Sequence, residues 1–199
     1  MPLGAFKAAL MGTAGVSTGD VVLLSSQTAD GDSSLSFTSG ITSTYGEYIF
    51  RFYDISAATN RTEFAFQVNA SGESGYNETI TSAMFRFYND EGDSNPSLFY
   101  DTDNDQGQGT AYQSLSYMVS SAADEGLVGE LHLFNPSSTT YVKHFTSITQ
   151  KVYATGSGAG YSWQDFIAGY INTTAAITGV DFKMLSGNFD GKIKMWGVK

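Results

Sequence analysis

Tyr45-Gly-Glu-Tyr-Ile-Phe-Arg-Phe-Tyr-Asp54 and Thr62-Glu-Phe-Ala-Phe-Gln-Val-Asn69 carry the pattern that decides the fold. In the first run Tyr48, Phe50 and Phe52 alternate with Glu47, Ile49, Arg51 and Tyr53. In the second, Phe64, Phe66 and Val68 alternate with Glu63, Ala65 and Gln67. Successive side chains of a strand point to opposite faces, so each run lays an apolar row on one side of a sheet. The intervening Ile55–Arg61 is short enough to join neighbouring antiparallel strands. Burying one Phe is worth about 1.5–3 kcal/mol, so these two rows hold much of a core.

The same period extends along the chain. Val21–Ser26 and Ser34–Thr38 read as strands, with Ala29-Asp30-Gly31-Asp32 between them as a hairpin turn. Ser71–Asn77 is a loop and Thr79–Asn89 a strand, while Asp90–Gly109 is the longest irregular segment. Further strands are expected at Ala111–Val119, Val128–Phe134, Tyr141–Tyr153, Gln164–Asn172, Thr178–Leu185 and Lys192–Val198. From Ser162 the chain could instead begin as one helical turn, with that serine as its cap. Alternating lysines in Lys192-Ile-Lys-Met-Trp196 suit an edge strand. About eleven short strands separated by turn clusters indicate an all-β, antiparallel two-sheet sandwich, not βαβ units. Residues 21–199 form that domain, and Met1–Asp20, rich in Gly and Ala, is a separate N-terminal arm. Within the arm, Leu3, Phe6, Leu10 and Met11 are apolar enough to dock on a partner, although a frayed terminus explains them equally well.

Composition excludes several functions. A chain of 199 residues buries roughly 70 % of the surface its unfolded form exposes and needs no staple. It has no cysteine, so no disulfide, thiolate nucleophile or cysteine-bound zinc. Ten basic against twenty acidic residues give a net charge of −10, which repels nucleic-acid backbones and anionic membranes. No apolar stretch approaches the roughly 20 residues of a spanning helix, and Met1–Gly15 lacks the pattern of a signal peptide.

Chemistry-bearing clusters are few. Asp90, Glu91 and Asp93 precede Asp101-x-Asp103-x-Asp105, whose spacing is that of the first three oxygen ligands of a calcium loop. Gln106 stands where that loop needs glycine, and Tyr112 where it needs glutamate. A solvated acidic loop is therefore favoured over an irregular Ca2+ site, and no other cofactor is expected. His132 and His144 lie on adjacent strands but lack a third zinc ligand, and no nucleophile elbow accompanies Ser137 or Ser138. The sequons at Asn60, Asn69, Asn77 and Asn172 carry no weight in so Ser/Thr/Asn-rich a chain. Tyr76, Tyr100, Tyr112 and Trp163, with Tyr117 and Tyr161, sit in or beside polar loops, where rings stack on sugar C–H faces or cover the ends of a sandwich.

Three stretches carry a resemblance: Leu24–Tyr48, Leu131-His-Leu-Phe-Asn-Pro-Ser-Ser-Thr-Thr-Tyr-Val-Lys-His-Phe145 and Ala168–Lys199. Together they resemble small β-sandwich virion structural proteins of tailed phages of marine bacteria, especially cyanophage-like ones. That resemblance implies a jelly-roll-like sandwich displayed on the virion as a capsid decoration or tail-fibre component. It also implies other virion proteins as partners and a homo-oligomer, a trimer among the options, with Met1–Asp20 as the anchor. No catalytic residue comes with it, and the chain is expected not to be an enzyme. The alternative is a carbohydrate-binding module that recognises a host surface glycan. A glycan-cleaving enzyme is a third reading, for which no carboxylate pair stands out.

Overall fold

The computed structural model describes residues 20–153 and 160–199. Residues 1–19 of the proposed arm, with Leu3, Phe6, Leu10 and Met11, lie outside the described residues. Thirteen strands are described: β1 (Val21–Asp32), β2 (Leu35–Phe37), β3 (Glu47–Ala57), β4 (Thr62–Ala70), β5 (Ile80–Asp90), β6 (Ser97–Tyr100) and β7 (Gly107–Gly109). They continue with β8 (Gln113–Val119), β9 (Leu127–Phe134), β10 (Lys143–Tyr153), β11 (Tyr161–Ile171), β12 (Ile177–Met184) and β13 (Phe189–Val198). All pairings are antiparallel, in two sheets. The large sheet runs β1-β13-β3-β9-β10-β11-β5-β6, with β7 also on β5, and the small one runs β2-β12-β4-β8. The chain is an all-β two-sheet sandwich. Among the described residues no helix is long and apolar enough to cross a membrane, and Ser162 opens no helical turn because it lies inside β11.

The two deciding runs become β3 and β4, but they are not paired neighbours. β3 belongs to the large sheet and β4 to the small one, so the short connection crosses the sandwich. The reason is the apolar rows themselves. Facing one another, Phe52 and Phe64 meet edge-on with centroids 5.1 Å apart, and Phe182 of β12 packs against Phe50, Phe52, Phe64 and Phe66. Side-by-side pairing would leave each row needing another cover. Tyr48 is fully buried and satisfied: its hydroxyl accepts from Thr42 N at 2.7 Å and donates to Thr42 O at 2.8 Å.

Two further expectations are corrected. Asp30-Gly31-Asp32 is the end of β1, not a hairpin turn. Gly31 does take φ +69°, but its N–H donates to the Asp190 carboxylate at 2.6 Å, and its carbonyl accepts from Asn188 at 2.7 Å. These bonds hold β1 on β13, and the chain then passes to the small sheet as β2. Nor is β13 an edge strand, since it lies between β1 and β3. Its lysines alternate because one face of the strand is solvent-facing while Ile193 and Met195 enter the core. Asp90–Gly109 is less irregular than expected, since β6 and β7 both form on β5.

Candidate binding face and buried ionic cluster

The register places one side chain from each of eight strands in a line across the outer face of the large sheet. Ser26 pairs with Lys194, Lys194 with Arg51, Arg51 with Glu130, and Glu130 with Ile148. Ile148 then pairs with Phe166, Phe166 with Phe85, and Phe85 with Tyr100. The line is polar over its first four positions and apolar or aromatic over its last four. Phe166 and Phe85 stack with centroids 4.8 Å apart, and Phe87, Leu98 and Val128 extend the apolar half along the strands. Ile148 and Tyr100 are about half exposed, and Leu98 more so (49 %, 53 % and 69 %). These are large apolar groups collected on one flank of an acidic protein.

The polar half is an ionic chain. Arg51 Nε lies 3.3 Å from Glu130 Oε2, and Glu130 Oε1 lies 3.0 Å from His132 Nε2. The other imidazole nitrogen, Nδ1, contacts Glu47. Burial alone would lower the His132 pKa, but the hydrogen bonds to Glu130 and Glu47 outweigh it and raise it. Glu130 moves the other way, held below the usual carboxylate range first by His132 and then by Arg51. Lys194 Nζ sits 5.1 Å over the ring of Tyr53.

A groove opens where this face is interrupted. β3 pairs with β9 through Phe52–Gly129 and next through Ile55–Leu127, leaving a bulge at Tyr53 and Asp54. Asp54 takes φ +50° there, a conformation uncommon outside glycine, asparagine and aspartate. Gly129 permits the close approach of β9 and β10, since a Cβ on it would lie 2.4 Å from the Ile148 carbonyl oxygen. The resulting depression has a volume of about 500 Å3. A second hollow of about 150 Å3 adjoins it, and the two share Glu130 and Ile148 as walls.

Between the sheets lies a separate ionic cluster. Lys151 Nζ is 2.7 Å from Asp165 Oδ2 and 2.9 Å from Ser116 Oγ, and Arg86 pairs with Asp101. Arg86 also lies 4.1 Å over the Tyr117 ring, and Lys151 lies 5.1 Å over that of Trp163. Burial pushes the pKa of Lys151 and of Arg86 down, opposed in each by Asp165. Nearby, burial raises that of Glu63 against the Ser114 hydroxyl and Arg86. The paired side chains are 5 % exposed or less, so the cluster ties β5, β10 and β11 to β8 and is closed to solvent.

The residues singled out in the sequence are dispersed. Asp101 is buried with Arg86 and Asn104, and its Oδ1 accepts from Asp103 N at 3.1 Å. Asp105 takes the Tyr100 hydroxyl instead, and Asp90 caps a turn through Ser94 and Asn95. Among the described residues no group of three or more His, Asp or Glu side chains is placed to hold a metal ion. Trp163 packs inward against Tyr88 and Tyr153, at 5.2 and 5.4 Å. Tyr112 donates to Asp181 at 2.9 Å, and burial, helped by this bond, drives its pKa well up. Gly179, on the same strand as Asp181, faces Tyr76. Tyr76 and Tyr112 therefore neighbour one another over the small sheet, whereas Tyr100 is on the large one. His144 lies beside Tyr170, and the Ser138 hydroxyl accepts from Thr140 N and Tyr141 N in its turn. Comparison with known protein families, curated proteins and solved structures found no match.

Proposed function

We propose that this chain is a non-enzymatic structural protein of a tailed-phage virion, a surface-displayed decoration or fibre component anchored through residues 1–20. The observation that carries the reading is the apolar flank of the large sheet's outer face, Phe166, Phe85 and Tyr100 in register, with Phe87 and Leu98 beside them. A second copy of the chain is the occupant that fits it. The side chains named carry no charge, so two copies meet there without opposing their −10 charges directly. The resemblance carried by Leu24–Tyr48, Leu131–Phe145 and Ala168–Lys199 points to the same reading. Imaging an intact particle with the chain labelled tests it: density at a repeated surface position is expected, and absence of the protein from purified particles overturns it. A second reading, recognition of a host glycan, is favoured by the groove beside Arg51, Glu130 and His132.

A further inference from the structure

We infer that the groove at the interrupted β3–β9 ladder is a saccharide-binding site, reading a pyranose with its ionic rim and holding the ring's C–H face on its apolar wall. This rests on the second reading above and gives it residues that the aromatic loops did not supply. Three features coincide. The larger lobe, about 500 Å3, falls within the roughly 300–1,000 Å3 of small-ligand sites. It lies beside the bulge at which Asp54 is held at φ +50°, and bulges and uncommon backbone conformations concentrate at functional sites. Its lining mixes two chemistries: Arg51 of β3 and its register partner Glu130 of β9 are ionic, while Val128, two residues before Glu130 on β9, and Ile148 of β10 are apolar.

The rim has the hydrogen-bonding capacity that vicinal hydroxyls need. Glu130 gives one oxygen to His132 and the other to Arg51, and a carboxylate keeps further lone pairs after two bonds. Arg51 meets Glu130 through Nε, which leaves the N–H groups at the end of the guanidinium to donate. One hydroxyl can thus donate to Glu130 while its neighbour accepts from Arg51. With His132 protonated, Glu47, Glu130, His132 and Arg51 sum to no net charge, so the rim favours a neutral polyol over an ion. A fatty chain lacks partners for this rim, and a phosphate meets a protein of charge −10. The smaller lobe, with His132, Thr146 and Phe166 on its walls, takes a ring substituent or the next sugar.

The test is amide-resolved NMR of the full chain titrated to tens of millimolar with the methyl glycosides of glucose, galactose and mannose and with N-acetylglucosamine. The expected result is saturable shifts at Arg51, Val128, Gly129, Glu130 and Ile148 with at least one of them. Glu130→Gln should weaken that binding roughly tenfold, since a charged hydrogen-bond partner is lost, and Val128→Asp should weaken it by placing a charge in the apolar part of the lining. Shifts confined to Tyr76 and Tyr112 overturn the groove while sparing carbohydrate recognition. No saturable shift with any of the four sugars overturns the inference. None of these outcomes bears on whether the protein is found in particles.

Discussion

Lys151 of β10 and Asp165 of β11 meet diagonally across adjacent strands, Nζ 2.7 Å from Oδ2, with both side chains almost wholly removed from water. Removing one partner of such a pair leaves a buried charge uncompensated and costs about 3–5 kcal/mol, whereas replacing both by apolar groups is often neutral. Lys151→Met should therefore lower stability to urea by about that amount. Lys151→Met combined with Asp165→Leu should recover part of the loss. Recovery stays incomplete because Ser116 and Arg86 then lose the same carboxylate. A double variant no more stable than the single one would mean that the pair is not an energetic unit.

The exposed half of the large sheet makes a prediction about assembly. Phe166 and Phe85 stack on the outer face of the large sheet, Phe166 half-buried there, so Phe166→Glu removes no packing between the sheets and brings like charges together where two copies meet. Light scattering should show the variant shifted to monomer while its melting temperature stays near that of the parent. A parent that is already monomeric at high concentration contradicts the second-copy occupant. A variant that merely unfolds would show Phe166 to be part of the core.

His132 gives stability a pH dependence with a definite sign. Its folded pKa is raised above the ordinary value, because the hydrogen bonds to Glu130 and Glu47 outweigh burial. A raised folded value means that the stabilisation is complete below the unfolded pKa, about 6.5, and is lost as pH rises through the folded one. The parent should thus lose melting temperature between acidic and mildly alkaline pH relative to His132→Gln. The imidazole resonances should titrate with a midpoint above the ordinary value. A midpoint at or below it would mean that the two carboxylates do not hold the proton.

Period-two alternation made β3, β4, β5 and the C-terminal strands legible, because it follows from the pleat alone. What alternation cannot say is which sheet a strand joins. Tyr48, Phe50 and Phe52 look the same whether their apolar row is matched by a hairpin partner or by Phe64 and Phe182 across the core. The lysines of β13 likewise mark a solvent-facing side, which an edge strand and a strand between β1 and β3 share. The candidate groove was invisible for a related reason. Arg51, Glu130 and His132 come from runs some eighty residues apart, and only the Arg51–Glu130 and Ile49–His132 register brings them together. The one local signal was a glycine inside the apolar run Leu127–Phe134, since an isolated glycine in a strand marks a bulge or close backbone approach. Aromatic residues beside loops pointed elsewhere: Trp163 turned inward to cover Lys151.

Gly129 links packing to the groove, and its replacement separates the two. A Cβ there would meet the Ile148 carbonyl oxygen at 2.4 Å and Thr149 Cα at 2.8 Å, both backbone atoms that cannot swing aside. Gly129→Ala must push β9 from β10, and overpacking of this kind costs about 1–3 kcal/mol. The displacement falls on the strand that carries Glu130 and beside the wall formed by Ile148, so saccharide shifts should weaken together with stability. Val128→Ala trims the apolar lining from an exposed position and should weaken binding at an unchanged melting temperature. If Gly129→Ala leaves stability intact, the two strands are not as tightly held as their register implies. If both variants bind as the parent does, the groove is a by-product of the bulge and not a site.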